Sequence, residues 1–409
     1  MADKRDYADR PQRSADRSDG EGEGLREVTG RKKRRRHPVL RALFRLLLVA
    51  ALLLSILFVW KNWDAIAPEG MAAWLDETFA GGQKGDGFPM AISGGAVLDM
   101  EETSSGLAVL SDTTFSILNA NGGEIVRRQH GFTAPILKTE GKWSLLAEIG
   151  GTRLRLETRA ETEAEMELNN KLVSAAVNRE GKFAVVTESS GGYASEVVVY
   201  SPKQKELVHW YSSDLTVLDV ALSPDGKSMA AVGVAAQGGG MKASILLFDL
   251  SKKDPVLQVD DSDILLYAVD FFPNGTVAAI GDTALWIVNA SGTIQQRHDY
   301  EGRELVGFAI GDEAVSVALK NYSGSEGGQL LTVNPSGDRA YMEEFEGTFR
   351  CLTPGDGGML LLTGAHLYRT DAVGLGDTAE VARDGRLVGT IGRKVLVLGL
   401  TALSEAVFP

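Results

Sequence analysis

The sequence predicts an all-β fold, a β-propeller of seven to eight four-stranded blades with eight favoured, preceded by one transmembrane helix. Three observations lead to this prediction. Short apolar runs alternate with turns from residue 88 onward, and one glycine-containing turn recurs about every forty residues. A long apolar segment near the N-terminus also follows six consecutive basic residues.

The apolar runs have the length and the boundaries of β-strands. Each spans about four to eight residues and is bounded by Gly, Asn, Asp, Ser or Pro. Examples are residues 108–110, 183–186, 245–248, 284–288 and 395–398. The acidic stretch 157–170 has glutamates at every second position, which suits an exposed strand edge or loop as well as a helix.

One turn recurs, in which polar residues and a glycine precede an apolar strand. The clear copies contain Gly141, Gly181, Gly226 and Gly275, and weaker copies contain Gly106, Gly311, Gly357 and Gly392. The intervals between these eight glycines are 35, 40, 45, 49, 36, 46 and 35 residues. Such a period, with about four short strands in each repeat, predicts propeller blades. Glycine suits the turn because a tight strand connection requires a positive φ.

Eight turns between first and second strands predict eight blades. The last unit, residues 386–409, contains enough residues for three strands only. Residues 88–93 could supply its fourth strand and close the ring, which would remove the exposed edges of an open sheet. Seven blades remain an alternative if the weak end units are misassigned, and a β-sandwich array or a β-helix is a further one.

Six adjacent cations set the predicted membrane topology: Arg31, Lys32, Lys33, Arg34, Arg35 and Arg36. The apolar segment 38–60 follows them and is near the length needed to span the hydrocarbon core. Trp60 and Trp63 suit the far membrane interface, where amphipathic rings collect. Because basic flanks stay in the cytoplasm, we expect a cytoplasmic N-terminus and an extracellular C-terminal domain in the cell membrane. Cleavage after Ala67 is the alternative to a retained anchor.

The distribution of charge agrees with this topology. Residues 1–60 contain 14 Lys and Arg against 8 Asp and Glu, a net charge of +6. The whole chain carries −13, so residues 61–409 carry −19. A domain with this much negative charge repels nucleic acid, so we expect no nucleic-acid partner.

The chain therefore divides into four predicted regions. Residues 1–37 form a disordered basic cytoplasmic tail, and residues 38–60 form a signal-anchor helix. Residues 61–87 form a short stem helix followed by a glycine-rich linker. Residues 88–409 form the extracytoplasmic β-propeller.

The clearest repeat carries a family resemblance. Residues 223–227 read Ser-Pro-Asp-Gly-Lys, which resembles the repeat of WD40-like and TolB-like propellers. The whole arrangement of basic tail, anchor and propeller resembles an uncharacterised bacterial family of single-pass membrane-anchored β-propeller proteins. The resemblance implies a fold and a location, but it implies no activity.

The sequence shows no catalytic, cofactor-binding or metal-binding constellation. The five histidines are far apart in the chain, so none forms a local ligand pair. Cys351 is the single cysteine, which excludes a disulfide framework and a cysteine-based zinc site. We expect Cys351 to pack as a small hydrophobic residue, with a nucleophile or a dimer-forming thiol as the alternatives. No catalytic residue and no cofactor is predicted.

Two functions compete on this basis. The first is a non-catalytic binding or scaffold module in the cell envelope, with an envelope protein or a glycan as its partner. The alternative is an envelope enzyme that acts on glycans at the propeller channel, which predicts ionisable side chains facing the axis. A redox domain of the quinoprotein type is a weaker alternative, because the tryptophan repeat expected of such a domain is absent.

Overall fold

The structure, a computed structural model, describes residues 85–92, 94–262, 264–322, 326–364, 366–371 and 373–409. The predicted tail, the segment 38–60 and most of the predicted stem lie outside these residues. Within the described residues, no helix is long and apolar enough to cross a membrane.

Thirty-one strands of the described residues form eight antiparallel sheets, seven with four strands and one with three. In each sheet the strands follow one another in chain order, so each sheet is one propeller blade. The eight-bladed prediction is therefore confirmed, and the seven-bladed alternative is wrong. The stretch with alternating glutamates is a strand, because it contains β8 (Thr162–Glu167) at the edge of its blade.

Strands are grouped here by their position in the blade. The first strands are β1 (Val97–Thr103), β5 (Pro135–Glu140), β9 (Leu172–Val177), β13 (Thr216–Leu222), β17 (Leu266–Phe271), β21 (Leu305–Ile310), β25 (Phe349–Gly355) and β29 (Leu387–Ile391). The second strands are β2 (Gly106–Ser111), β6 (Trp143–Glu148), β10 (Phe183–Thr187), β14 (Ser228–Gln237), β18 (Val277–Gly281), β22 (Val315–Lys320), β26 (Gly358–Thr363) and β30 (Lys394–Leu398). The third strands are β3 (Thr114–Leu118), β7 (Arg153–Glu157), β11 (Ser195–Tyr200), β15 (Gly240–Asp249), β19 (Ala284–Val288), β23 (Gly328–Val333), β27 (His366–Thr370) and β31 (Leu403–Ala406). The fourth strands are β4 (Glu124–Gln129), β8, β12 (Glu206–Ser212), β16 (Leu257–Asp261), β20 (Ile294–Asp299), β24 (Arg339–Phe345) and β28 (Leu375–Glu380).

The first strands lie nearest the axis, where first strands of neighbouring blades contact one another. The first strand of the last blade, β29, contacts both β25 and β1, which closes the ring. The segment before β1 completes the last blade. The Met90 N–H donates to the Leu403 carbonyl at 2.9 Å, and the Leu403 N–H donates to the Met90 carbonyl at 2.8 Å. The predicted closure by residues 88–93 is confirmed at this bridge.

The hydrophobic core is divided among the blade interfaces. Eight clusters of buried residues occur, and each joins two adjacent blades. Strand β10 shows how one strand serves two clusters: Phe183 and Val185 pack towards blade 2, whereas Ala184 and Val186 pack towards blade 4. Four second strands, β2, β6, β10 and β18, are therefore buried at every position, because each is covered on both faces.

All eight predicted glycines lie in the connection between the first and second strands or at its edge. Seven of them have the expected positive φ. Gly311 does not, so the backbone reason given for glycine is wrong at that turn. A Cβ there would lie 3.2 Å from Pro354 Cβ, so close packing favours a small residue.

Two of these glycines allow conformational strain to be separated from packing. Both Gly181 (φ 75°) and Gly275 (φ 83°) have a positive φ, but a Cβ on Gly181 would lie 2.4 Å from Trp143. Nothing lies within 4 Å of a Cβ on Gly275. We expect Gly275→Ala to lower the free energy of unfolding by about 1–2 kcal/mol, and Gly181→Ala by about 1–3 kcal/mol more. Urea unfolding of the full chain, followed by circular dichroism, measures both values, and equal losses would contradict the packing argument.

Two leucines of the last blade, one buried and one exposed, provide a matched test of ring closure. Leu403 is fully buried in the cluster that joins blades 8 and 1, whereas Leu400 is 70% exposed. We expect Leu403→Ala to lower the free energy of unfolding by about 2–5 kcal/mol, because it leaves a cavity at the closure. The control Leu400→Ala should change it by less than about 0.5 kcal/mol. The same urea titration measures both variants. Equal stability of Leu403→Ala and Leu400→Ala would argue against a role of Leu403 in closure.

Candidate functional site

Five ionisable side chains of the first strands interact electrostatically across the axis. They are Asp99 and Glu101 of β1, Lys138 of β5, Asp219 of β13 and Asp270 of β17. Lys138 and Asp270 keep contact with solvent, but the strands of several blades that surround them remove part of their hydration. These five residues therefore line a solvent-filled space around the axis, called here the axial channel.

A local irregularity helps to place two of the carboxylates. The pairing of β1 with β2 shifts between Val97 and Asp99, and the pairing of β13 with β14 shifts between Val217 and Asp219. A β-bulge of this kind turns the following side chain away from the regular alternation of the strand. The same shift precedes Ala268 in β17, Gly307 in β21 and Cys351 in β25. The irregularity therefore recurs in five first strands, and two of them carry a carboxylate after it.

The carboxylates join neighbouring blades through hydrogen bonds. Glu101 Oε2 accepts a hydrogen bond from the Thr139 N–H of the next blade at 2.7 Å. Asp219 Oδ1 accepts from Ser174 Oγ of the preceding blade at 2.6 Å, and Oδ2 accepts from the Val269 N–H of the following blade at 3.0 Å. One aspartate therefore connects three blades.

The lysine is held in its charged form by the carboxylates around it. Burial opposes the charge on Lys138, but attraction by Glu101, Asp219, Asp270 and Asp99 is larger in sum and raises its pKa. The cluster contains four carboxyl groups and one ammonium group, so it would interact electrostatically with a charged group that entered the channel.

The axial carboxyl groups have raised pKa values. Burial raises the pKa of Glu101 to about 7, and repulsion by Asp99 adds to the effect while Lys138 opposes it. Burial raises the pKa of Asp270 to about 6. Burial also raises the pKa of Asp99 and of Asp219. The axial channel can therefore exchange protons, or bind a cationic group when its carboxyl groups are ionised.

Arg179 forms ion pairs with residues of two other blades. It lies at the end of the axial channel where the turns between first and second strands are found. Arg179 Nε contacts Glu140 Oε1 of blade 2 at 2.5 Å, and Arg179 Nη2 contacts Asp312 Oδ2 of blade 6 at 3.3 Å. Trp143 Nε1 donates to the Arg179 carbonyl at 3.3 Å, which fixes the turn that carries the arginine. These ion pairs join turns from three blades at this end of the axial channel.

Metal and nucleophile chemistry receive no support from the arrangement. No group of three or more His, Cys, Asp or Glu among the described residues could hold a metal ion. Cys351 packs against the apolar cluster between blades 7 and 8, and burial raises the pKa of its thiol. This packing agrees with the prediction of a small hydrophobic residue, and the raised pKa disfavours the thiolate form.

The sequence-predicted residues and the axial cluster are different sets. The residues predicted to set membrane topology, Arg31–Arg36, Trp60 and Trp63, all lie outside the described residues. The sequence analysis did not identify the axial cluster. A signal was present, because Glu101 and Asp270 each stand five residues before the glycine of their turn, inside an apolar strand. That spacing becomes informative only when the strands are known to meet at one axis.

The raised pKa of Glu101 predicts how stability depends on pH. Between pH 4.5 and about 7 the folded chain retains the Glu101 proton, whereas the unfolded chain has lost it. Stability should therefore be greatest at the acid end of this window and fall as the pH rises through it. We expect Glu101→Gln, which cannot ionise, to reduce the loss between about pH 5 and pH 8 by about 1–3 kcal/mol.

The measurement is thermal unfolding of the full chain, followed by tryptophan fluorescence at both pH values. Glu344→Gln is the control, because Glu344 is exposed on the outer strand β24. This control should keep the wild-type pH profile. A wild-type profile in Glu101→Gln as well would mean that Glu101 does not retain a proton on folding.

The chain is similar to solved structures that include WD40 and β-propeller domains. The C-terminal WD40 domain of Sif2 aligns with a TM-score of 0.56 at 14% sequence identity, over 80% of this chain and 100% of that chain. BamB from Moraxella catarrhalis aligns with a TM-score of 0.50 at 12% identity, over 77% and 99%. The β-propeller domain of Cps50 (Swd1) from Myceliophteria thermophila aligns with a TM-score of 0.50 at 12% identity, over 67% and 96%. At these identities the similarity shows the fold alone.

Comparison with curated proteins gave no match. The family comparison did, and its match covers residues 91–375, which contain β1 and every strand up to the first residue of β28. The chain therefore belongs to the Family of unknown function (DUF5711).

Proposed function

We propose that this chain is a membrane-tethered extracytoplasmic β-propeller that acts as a non-catalytic binding or scaffold module in the bacterial cell envelope. One observation carries the proposal of a binding module. Two of the axial carboxylates, Glu101 and Asp219, bond to backbone or hydroxyl groups of neighbouring blades. Carboxylates that hold blades together have little freedom to act on a substrate. The ring is therefore best suited to present its outer surface to a partner.

The tether and the location are supported by the sequence. The basic residues Arg31–Arg36 precede the apolar segment 38–60, and residues 61–409 carry a charge of −19. Basic residues remain on the cytoplasmic side of a membrane, so this order favours a propeller outside the cell. The negative charge also favours a partner with positive charge on its surface over a nucleic acid.

The proposal is tested by crosslinking in intact cells with a reagent that does not cross the membrane. The full chain carries a tag at its C-terminus, and crosslinked proteins are identified by mass spectrometry after purification. We expect an envelope protein that is lost when residues 88–409 are removed. It should be retained when residues 31–60 are replaced by an unrelated anchor, because binding belongs to the propeller.

Two outcomes would contradict this proposal. Crosslinks that form only with a membrane-permeant reagent would place the propeller inside the cell. Crosslinks that follow the anchor and not the propeller would assign binding to the membrane segment. Either result is distinguishable from poor expression, because the tag reports the amount of chain recovered.

A second candidate function has one observation in its favour. The enzyme alternative predicts ionisable side chains at the axis, and Glu101 and Asp270 have pKa values of about 7 and about 6 beside Lys138. A carboxyl group with such a pKa can act as a general acid at neutral pH. Incubation of the full chain with cell-wall fragments tests this candidate. Product release that is lost in both Glu101→Gln and Asp270→Asn, and kept in Glu344→Gln, would favour the enzyme.

A further inference from the structure

The outer edge of blade 3 exposes an aromatic surface. Its members are Tyr193, Leu207, His209 and Tyr211, called here the blade 3 aromatic patch. Tyr193 is 46% exposed, Tyr211 is 43% exposed and Leu207 is 41% exposed. Leu207, His209 and Tyr211 alternate along the outer strand β12, and Tyr193 lies in the loop before β11.

The three rings of the patch form a continuous row. The ring centroids of Tyr193 and Tyr211 are 4.9 Å apart, and those of His209 and Tyr211 are 4.5 Å apart with nearly parallel planes. Tyr211 is therefore the central ring. Because Tyr193 and Tyr211 remain more than 40% exposed while they pack against each other, they have aromatic surface left for a ligand.

The patch is not needed by the core. The other side chains of β12, Val208 and Trp210, pack into the cluster between blades 3 and 4. Other outer strands expose polar residues where β12 exposes Leu207 and Tyr211. Strand β20, for example, exposes Gln295, Gln296 and Arg297. Among the outer strands that the structure describes, β12 carries this aromatic row, and the stability of the fold does not require it.

Two carboxylates border the rings. Glu196 Oε1 lies 2.6 Å from His209 Nε2, and Glu206 Oε1 lies 3.2 Å from His209 Nδ1. Asn170 Nδ2 donates to Glu196 Oε2 at 2.9 Å, which holds that carboxylate in place. Desolvation and the charges of Glu196 and Glu206 raise the pKa of the Tyr211 hydroxyl, as expected where the local potential is negative.

We propose that the blade 3 aromatic patch binds a basic segment of a protein partner through arginine or lysine side chains. A cation is attracted to the face of an aromatic ring, and the neighbouring carboxylates complement its charge. Exposed tyrosines are also residues that dominate the energetics of protein interfaces. The proposal rests on the proposed function of the chain as a binding module and specifies where its partner docks. The net charge of −19 on residues 61–409 would steer such a partner towards the propeller.

The test uses the purified full chain in detergent micelles and a fluorescent peptide with three arginines separated by alanines. Fluorescence anisotropy gives the dissociation constant. We expect Tyr211→Ala to weaken binding about tenfold or more, since it removes the central ring, and Glu206→Gln to weaken it about threefold. Binding should weaken as salt is added, because part of it is electrostatic.

Tyr322→Ala is the matched control. Tyr322 is a 63% exposed tyrosine on blade 6, and the Arg303 guanidinium already lies 4.2 Å from its ring centroid. This variant should bind the peptide as the wild type does. Tyr193→Ala provides a second test of the row should Tyr211→Ala fail to fold, and we expect it to weaken binding about threefold.

Three results would overturn the proposal. One is wild-type affinity in both Tyr211→Ala and Tyr193→Ala. Another is equal affinity for a peptide in which glutamate replaces arginine. The third is displacement of the peptide by a neutral oligosaccharide, which would assign the patch to a glycan.

The failure of this inference can be separated from the failure of the proposed function. The crosslinking experiment in intact cells is repeated with Tyr211→Ala and Tyr322→Ala. A partner lost in Tyr211→Ala alone would support the patch. A partner recovered equally with both variants would leave the binding module in place and overturn the patch.

Discussion

Packing between blades is the interaction on which the rest of the structure depends. No blade covers its own apolar faces, since the buried clusters of the described residues all join two blades. The second strands therefore contain few polar residues. Ser316 is paired, since it lies 2.6 Å from Thr332 within one blade, whereas the buried hydroxyl of Ser144 has no hydrogen-bond partner. Because each blade needs two neighbours, closure at Met90 and Leu403 is a requirement of the core as much as of the backbone.

Closure in turn brings the first strands together and creates the electrostatic environment of the axis. Side chains from blades distant in sequence meet there, as Lys138 of blade 2 meets Asp270 of blade 5. The carboxylates lose part of their hydration in this space and compensate by accepting hydrogen bonds from adjacent blades. Their raised pKa values and their role as links between blades therefore have one cause, which is the convergence of strands.

The sequence predicted the fold better than the site, for a physical reason. The predicted number of blades depends on local signals, such as the glycine turn at Gly226 and the apolar run 183–186. Such signals can be recognised in a single sequence. The axial cluster depends on which blades face one another. Asp219 stands in an apolar strand and Asp225 in the exposed turn that follows, but the local sequence does not show that Asp219 joins three blades. The pairing of Tyr193 with Tyr211 was missed likewise, because eighteen residues and one strand separate them.

The division between axis and rim bears on how such a ring would function. At the axis, the carboxylate Asp219 is bonded to blades on both sides, so a ligand that displaced these bonds would disturb three blades at once. At the rim, Tyr211 contacts other members of its own patch, so a ligand could bind there without altering the core. Binding at the rim therefore avoids the structural cost that binding at the axis would incur. That difference favours binding of a positively charged partner at blade 3 over chemistry in the axial channel. Protonation of the axial carboxyl groups then affects the stability of the ring and not the binding of the partner.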